Sequence, residues 1–126
     1  MRPRGVSETV VYATHLEAAA AFYRHVLGLR EVDDGAFRLA DGAMLLLFDP
    51  ERSSQPGRPV PSHGASGSGH LAFSVDTLEG WRERLRDVGV EIEEEKEWAR
   101  GGAHSIYVRD PAGNSVELVE GDLWPR

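Results

Sequence analysis

The stretch HSIYVRDPAGNSVELVEG, residues 104–121, predicts two β-strands joined by a tight turn. Residues 110–113 (DPAG) form the turn, because proline fixes its own φ and glycine tolerates the positive φ that closes such turns. In the second strand Glu117 stands between Val116 and Leu118, where a buried strand is expected. A buried carboxylate without a partner is too costly to keep ionised. Either a cation accompanies Glu117, or the residue lies on the solvated face of an edge strand.

The composition excludes several classes of function. The chain has 126 residues, enough for one domain with a core, and a formal net charge of −7. It has no basic stripe for duplex nucleic acid. It has no cysteine, which excludes disulfides, zinc–thiolate sites and thiol catalysis by the protein itself. No stretch approaches the ~18 apolar residues of a membrane span, and no signal-peptide pattern opens the chain. We therefore expect a soluble cytoplasmic protein.

The pattern of strands and helices occurs twice. The first half predicts a strand, a helix that starts at a capping-box pattern (THLE, 14–17) and ends at Gly28, and three further strands. The second half repeats this order, with DTLE (76–79), a helix that ends at Gly89, a strand over 90–98 and the hairpin quoted above. The prediction is a single α+β domain of two βαβββ modules, residues 6–49 and 69–120. The loop between them, 50–68, is rich in Pro, Ser and Gly.

The duplication brings candidate metal ligands into register. Residues 16 and 17 correspond to residues 78 and 79, and the same offset of 62 places Glu8 opposite His70. If the modules pack together, Glu8, His70 and Glu117 share one groove. An imidazole and two carboxylates suit Mn, Fe, Ni or Zn, and three protein ligands leave positions open for substrate. Taken singly, the three residues have ordinary interpretations: a surface charge, a core histidine and an edge charge.

Three segments carry a resemblance to a known family. They are THLEAAAAFYRHVLGL (14–29), GHLAFSVD (69–76) and DPAGNSVELVEG (110–121). They resemble the vicinal oxygen chelate superfamily, which includes glyoxalase I, fosfomycin-resistance proteins, extradiol dioxygenases and bleomycin-binding proteins. The resemblance implies a cupped mixed sheet around one divalent metal. It also implies a homodimer in which strands of both chains often complete each site.

The resemblance assigns the metal ligands residue by residue. The first ligand falls on Glu8, where His or Gln is commoner, the second on His70 and the last on Glu117. The fourth ligand of glyoxalase I falls on Leu46, which cannot ligate a metal and puts that enzyme's reaction in doubt. Extradiol dioxygenases use two histidines and one carboxylate, and Glu8 departs from that pattern.

The fosfomycin-resistance branch uses three ligands, as this chain would. Ser105, Tyr107 and Arg126 match substrate-contacting positions of that branch. The first histidine of the branch is Glu8 here, however, and its potassium-loop and lysine features are not evident over residues 98–103. A thiol transferase or hydrolase of this type is therefore an alternative to the broader expectation.

The expected function is metal-dependent catalysis on a small oxygenated substrate, with the metal as Lewis acid. Glu117 and Tyr107 are the expected catalytic residues. The alternative from another class is a metal-free small-molecule binding protein of the bleomycin-binding type, although such members lack the three ligands. His63, in the loop, is either a solvent-exposed residue or a proton carrier reaching over the pocket. Trp98 either lines the mouth of the cup or packs against it.

Overall fold

The computed structural model describes residues 1–124 and shows an α+β fold, as the sequence predicts. Contacts divide the chain into two compact units, residues 1–67 (unit 1) and residues 68 onward (unit 2). No helix in the described residues is long and apolar enough to cross a membrane. The elements, in chain order, are β1 (Glu8–Tyr12), α1 (Leu16–Ala21) with a π-helical continuation (Phe22–Val26), β2 (Arg30–Asp33), β3 (Ala36–Arg38), β4 (Met44–Phe48), α2 (Pro50–Ser53), β5 (His70–Val75), α3 (Trp81–Asp87), β6 (Glu94–Glu97), β7 (His104–Arg109) and β8 (Ser115–Glu120).

Unit 1 contains a four-stranded mixed sheet in the order β1-β4-β3-β2. β1 and β4 are parallel, and their register runs from Glu8 opposite Met44 to Tyr12 opposite Phe48. Burial alternates along both strands because successive side chains point to opposite faces. One face belongs to the core, where Leu45 is fully buried. The other face carries Glu8, Tyr12 and Phe48 and is partly open.

Unit 2 contains the equivalent sheet, in the order β5-β8-β7-β6. β5 and β8 are parallel, and β7 and β8 form the predicted antiparallel hairpin. The core face is apolar and closely packed: Ile106, Val108, Val116 and Leu118 are at most 1% exposed, and Leu85 of α3 is fully buried. The opposite face carries the polar residues of the hairpin, so burying the apolar face aligns the candidate site residues on the other.

The DPAG turn is confirmed and does more than reverse the chain. The Asp110 carboxylate accepts hydrogen bonds from the backbone N–H groups of Ala112 (2.9 Å) and Asn114 (2.8 Å). Gly113 has the expected positive φ, 86°. The side-chain oxygen of Asn114 accepts a hydrogen bond from the backbone of Gly69 at 2.8 Å. This bond ties the turn to the residue before β5 and so helps to fix where His70 begins its strand.

Both predicted capping boxes are wrong. The residue that caps α1 is His15, one position after the predicted Thr14. In unit 2 the helix begins later, at Trp81, after Gly80 in the left-handed conformation (φ 84°). The backbone N–H of Leu78 donates to the Glu120 carboxylate at 2.6 Å. Glu120, in β8, therefore binds a backbone N–H close to the position where the sequence pattern predicted a cap from a neighbouring residue.

Two other boundaries differ from the predictions. The strand predicted over 90–98 is shorter, Glu94–Glu97, and all its residues are exposed. The loop over 50–68 begins with the short helix α2, which the Asp49 side chain caps by accepting a hydrogen bond from the N–H of Glu51 at 3.0 Å. Proline at the first helical position is compatible with this start because its missing N–H would have no helical partner.

Candidate metal-binding site

Glu117 is buried in the interior of the unit 2 sheet. β8 lies between β5 and β7, so Glu117 is not on an edge strand, and its exposed fraction is only 5%. It lies opposite Tyr107 on β7 and beside Ala72 on β5. The interpretation as a solvated edge charge is therefore wrong. A carboxylate in this position needs partners that compensate for the loss of water.

The partners of Glu117 are mostly neutral. Its Oε2 accepts a hydrogen bond from the Ser105 hydroxyl at 3.0 Å, and its Oε1 lies 3.7 Å from Nε2 of His70. The Tyr107 hydroxyl also interacts with this carboxylate. Within residues 1–124, no lysine or arginine forms an ion pair with Glu117. These neutral donors supply no positive charge, so a bound cation can compensate the negative charge of Glu117.

A second hydrogen bond supports the serine that holds Glu117. The indole N–H of Trp98 donates to Oγ of Ser105 at 2.9 Å, and Ser105 is 1% exposed. Trp98 is itself placed by its backbone N–H, which donates to the carbonyl of Ala103 at 2.9 Å. No pattern in the sequence indicates this link. The only available signal was general: a partly buried indole N–H usually finds an acceptor.

His70 presents one ring nitrogen towards Glu117. It opens β5, and its side chain is 51% exposed, so the interpretation as a core histidine is wrong. Nδ1 lies 3.2 Å from both the carbonyl and the hydroxyl of Ser115. When Nδ1–H donates to that carbonyl, Nε2 carries a lone pair on the side of Glu117. This is the tautomer that a metal requires.

The pKa of Tyr107 is raised from 10.0 to about 12. The first cause is desolvation, which disfavours the phenolate, and the hydrogen bond and negative charge of Glu117 act in the same direction. The ring also stacks on His70, with centroids 6.3 Å apart. At neutral pH the hydroxyl therefore keeps its proton and acts as a hydrogen-bond donor rather than as a base.

The predicted first ligand, Glu8, belongs to the other unit. Glu8 opens β1 in unit 1 and is exposed. Leu46 lies beside Val10 in the β1–β4 register, on the same face as Glu8. Over residues 1–124 of one chain, no group of three or more His, Asp or Glu side chains is placed to hold a metal ion. Arg126 lies outside the described residues.

The chemistry of the pair in unit 2 fits a divalent ion. Carboxylate oxygen and imidazole nitrogen both bind Mn, Fe, Ni or Zn. When each ligand atom lies ~2.1 Å from the metal, neighbouring ligand atoms are roughly 3.0–3.4 Å apart. The 3.7 Å between Nε2 of His70 and Oε1 of Glu117 needs only a small adjustment to reach this range.

Comparison with known proteins establishes the family. The profile of the "Glyoxalase/Bleomycin resistance protein/Dioxygenase superfamily" matches residues 5–118. The chain belongs to this superfamily. The predicted resemblance to the vicinal oxygen chelate proteins is thereby confirmed, and so is the glyoxalase-like fold.

Individual members of the superfamily show which enzymes the chain resembles. It is 36% identical to the metallothiol transferase FosB of Bacillus licheniformis, over 97% of this chain and 79% of that one. It is 28% identical to a lactoylglutathione lyase of Salmonella typhimurium, over 89% of each chain. A crystal structure of a lactoylglutathione lyase from Agrobacterium tumefaciens superposes with a TM-score of 0.86, at 42% identity and with 98% of both chains covered. These superfamily relatives are named as enzymes of two classes, a transferase and lyases.

Proposed function

We propose that the protein is a divalent-metal-dependent enzyme that acts on a small oxygenated substrate. The observation that carries this proposal is the environment of Glu117: a carboxylate 5% exposed in an interior strand, held by neutral donors, with a half-exposed imidazole 3.7 Å away. A divalent cation compensates such a charge without a buried lysine or arginine. The open side of His70 gives the cation access from solvent.

In this proposal Glu8, His70 and Glu117 hold one Mn, Fe, Ni or Zn ion. The bound ion supplies Lewis-acid chemistry, polarising a carbonyl, epoxide or diol oxygen of the substrate. Ser105 holds one oxygen of Glu117 in place, so that the other faces His70. The hydroxyl of Tyr107 keeps its proton and would donate a hydrogen bond to a substrate oxygen that gains negative charge, in place of its contact with Glu117, once a metal compensates that carboxylate.

Two of these residues carry further predicted roles. Glu117 is the nearest carboxylate to the Tyr107 hydroxyl and is the expected base where the reaction removes a proton. Ser105 and Arg126 are predicted to contact substrate together with Tyr107. Ser105 is only 1% exposed. A substrate atom can therefore contact it only by entering the buried part of the site.

A thiol transferase is the specific reaction that we favour within this class. The 36% identity to a metallothiol transferase extends over 97% of the chain. The lactoylglutathione lyase reaction has less support, because the position expected for a fourth ligand holds Leu46, whose neighbour in the register is Val10. A thiol added to an epoxide carbon opens the ring, and the released oxygen takes a proton. Tyr107 would donate a hydrogen bond to that oxygen, where a metal held by the three ligands would supply Lewis-acid stabilisation.

The proposal includes a homodimer in which the site is shared. Superfamily members of this size often dimerise, and the described residues of unit 2 offer no third His, Asp or Glu ligand beside His70 and Glu117. We infer that Glu8 of a second copy completes the site. The dimer would then be needed for metal binding as well as for stability.

Metal analysis of protein purified without added metal tests the proposal. We expect close to one equivalent of metal per chain, or its restoration by Mn, Fe, Ni or Zn. Product formation is then assayed from epoxides with a thiol and from α-ketoaldehydes with a thiol. The Glu117→Gln protein, which keeps the shape of the side chain, should be inactive. Less than about a tenth of an equivalent, unrestored by any of the four metals, would instead support a metal-free binding protein.

A further inference from the structure

The loop that follows β4 holds His63 in a defined place in unit 1. The backbone N–H of His63 donates to the carbonyl of Ser53 at 2.9 Å. In return, the Ser53 hydroxyl donates to the carbonyl of His63 at 2.7 Å. Ser53 is 1% exposed, so both bonds are protected from water. The loop is therefore anchored to α2 at this residue, and the imidazole ring is positioned by the main chain.

The His63 ring lies between the ends of β1 and β4. Its Nδ1 is 2.7 Å from the hydroxyl of Tyr12, and its ring meets Phe48 edge to face, with centroids 4.8 Å apart. When Tyr12 donates to Nδ1 of the neutral imidazole, the ring proton lies on Nε2. No described residue forms a hydrogen bond with that nitrogen. In that tautomer Nε2–H is a donor that a ligand can use.

Arg58 contributes a second donor beside the same aromatic ring. Its guanidinium carbon lies 5.9 Å from the Phe48 ring centroid, and its Nη1 donates to the carbonyl of Ser53 at 2.8 Å. Among the described residues it forms no ion pair, although the chain carries a net charge of −7. The nearby Asp49 carboxylate is engaged in capping α2. Most of the N–H groups of this half-buried arginine are thus available to an outside acceptor.

We propose that Arg58 and His63, supported by Tyr12, bind an oxyanion, either a carboxylate or a phosphate group. Arg58 provides a fixed positive charge, and both Arg58 and His63 provide N–H donors beside an aromatic ring. An oxyanion can accept charge-assisted hydrogen bonds from these donors. The bound group would be part of the substrate, and in this respect the inference rests on the proposed function. Tyr12 lies four residues beyond Glu8 on the same face of β1, about 13 Å along the strand. The oxyanion would thus occupy the end of the substrate remote from its metal-bound oxygen.

Anion titration of the metal-free protein in EDTA tests this site directly. Inorganic phosphate and, separately, acetate are added while the imidazole resonances are followed by NMR. The chain has five histidines, and the His63→Gln protein identifies the relevant signal. We expect a saturable shift of the His63 resonance, and the anion that binds more tightly identifies the group. Arg58→Gln should weaken binding about tenfold or more, because it removes the charged donor. Arg58→Lys should weaken it less.

Matched variants separate a built site from general attraction of anions to the surface. Arg52→Gln removes an exposed arginine of α2 and should leave the affinity unchanged. Tyr12→Phe removes the hydroxyl that faces Nδ1 and should weaken binding without loss of the fold in circular dichroism. Absence of a saturable His63 shift with either anion, or equal affinity in Arg58→Gln and the parent, would overturn the proposal. Metal binding is measured in a separate titration. Failure of the anion site therefore does not contradict the proposed metal site, and failure of the metal site does not contradict the anion site.

Discussion

At the scale of single residues, the orientation of the Glu117 carboxylate is set by a short chain of hydrogen bonds. Trp98 donates to Ser105, and Ser105 donates to one oxygen of Glu117. Each hydrogen bond fixes a side-chain torsion angle that would otherwise rotate freely. The other carboxylate oxygen is left to face His70. Groups that orient a metal ligand in this way commonly matter for affinity even though they never touch the metal.

Removing this orientation should weaken metal binding. We expect Ser105→Ala to lower the affinity for Mn²⁺ or Zn²⁺ about 10- to 100-fold, the usual effect of losing such a partner. Trp98→Phe should have a smaller effect in the same direction, because its indole acts through Ser105. Calorimetric titration measures both. Trp81→Phe, at the start of α3, is the control and should bind as the parent does. Unchanged affinity in Ser105→Ala would contradict the positioning role.

Tyr107 should titrate far above the physiological range. Its pKa of about 12 in the folded protein exceeds the ordinary 10.0 of an unfolded chain. The neutral side chain therefore contributes stability that is fully present below pH 10 and is lost as pH rises through 12. Phenolate absorbance near pH 12, compared between the parent and Tyr107→Phe, measures this directly. A Tyr107 contribution that is complete by pH 10 would show that the hydroxyl is not held in this way.

The residues themselves were more predictable than their partners. Alternation along the second strand of the hairpin separates Glu117 from Val116 and Leu118, because side-chain direction in a strand follows from position alone. The burial of Glu117 was left open, since it depends on β8 having a neighbour on each side. The contact with Trp98 could not be predicted at all. It depends on the path of an irregular loop.

At the scale of elements, the loop over residues 98–103 is fastened to the chain segment after β8. The N–H of Asp122 donates to the carbonyl of Gly101 at 3.1 Å. Gly101 and Gly102 both have positive φ, 63° and 60°. A side chain at Gly101 would collide with the backbone of Asp122, whereas the space around Gly102 is open. This close approach is what places Trp98 over Ser105.

The two adjacent glycines provide a matched test of that approach. Gly102→Ala should cost about 1–2 kcal/mol of unfolding free energy, the usual penalty for a left-handed conformation outside glycine. Gly101→Ala should cost at least about 1 kcal/mol more, because the backbone must also move. Only Gly101→Ala should weaken metal binding noticeably, through displacement of Trp98. Denaturant unfolding and metal titration measure the two effects. Equal stability of the variants would mean that the contact with Asp122 is not close.

Element boundaries were predicted where the signal is local and missed where it is not. Gly113 closes the DPAG turn as expected, because the turn depends on four consecutive residues. The second capping box failed because the helix begins only at Trp81. The N–H of Glu79 donates to the Thr77 hydroxyl instead of to Asp76, and the N–H of Leu78 donates to Glu120, 42 residues further along the chain. The helix α2 escaped prediction because the surrounding loop is rich in Pro, Ser and Gly. Helix propensity averaged over that loop is low and does not indicate a single helical turn.

At the scale of the whole molecule, the duplicated units make a shared site possible. Glu8 and His70 open the equivalent strands β1 and β5. The internal repeat was therefore the most informative feature of the sequence, since it placed candidate ligands in two units without knowledge of the packing. What it could not indicate is whether Glu8 belongs to the same site as His70.

Mixing two inactive variants should show that the ligands come from different chains. Glu8→Ala and His70→Ala homodimers each lack a ligand in both sites and should bind metal weakly. If the site is shared, a heterodimer has one site with both defects and one site with none. We expect mixing under exchange conditions to restore up to one tight site per dimer. A monomer in sedimentation at micromolar concentration, or no recovery in a confirmed heterodimer, would contradict the shared site.

The central claim is that Glu117 and His70 hold a divalent metal, and one titration tests it most directly. The metal-free parent, Glu117→Gln and His70→Ala are titrated with Mn²⁺ and Zn²⁺ at pH 7.5, with circular dichroism as a check of the fold. Glu97→Gln, on the exposed strand β6, is the charge-matched control. We predict tight binding by the parent and the control and a loss of at least about 100-fold in both site variants. Equal affinity of all four proteins would place the metal elsewhere and contradict this account.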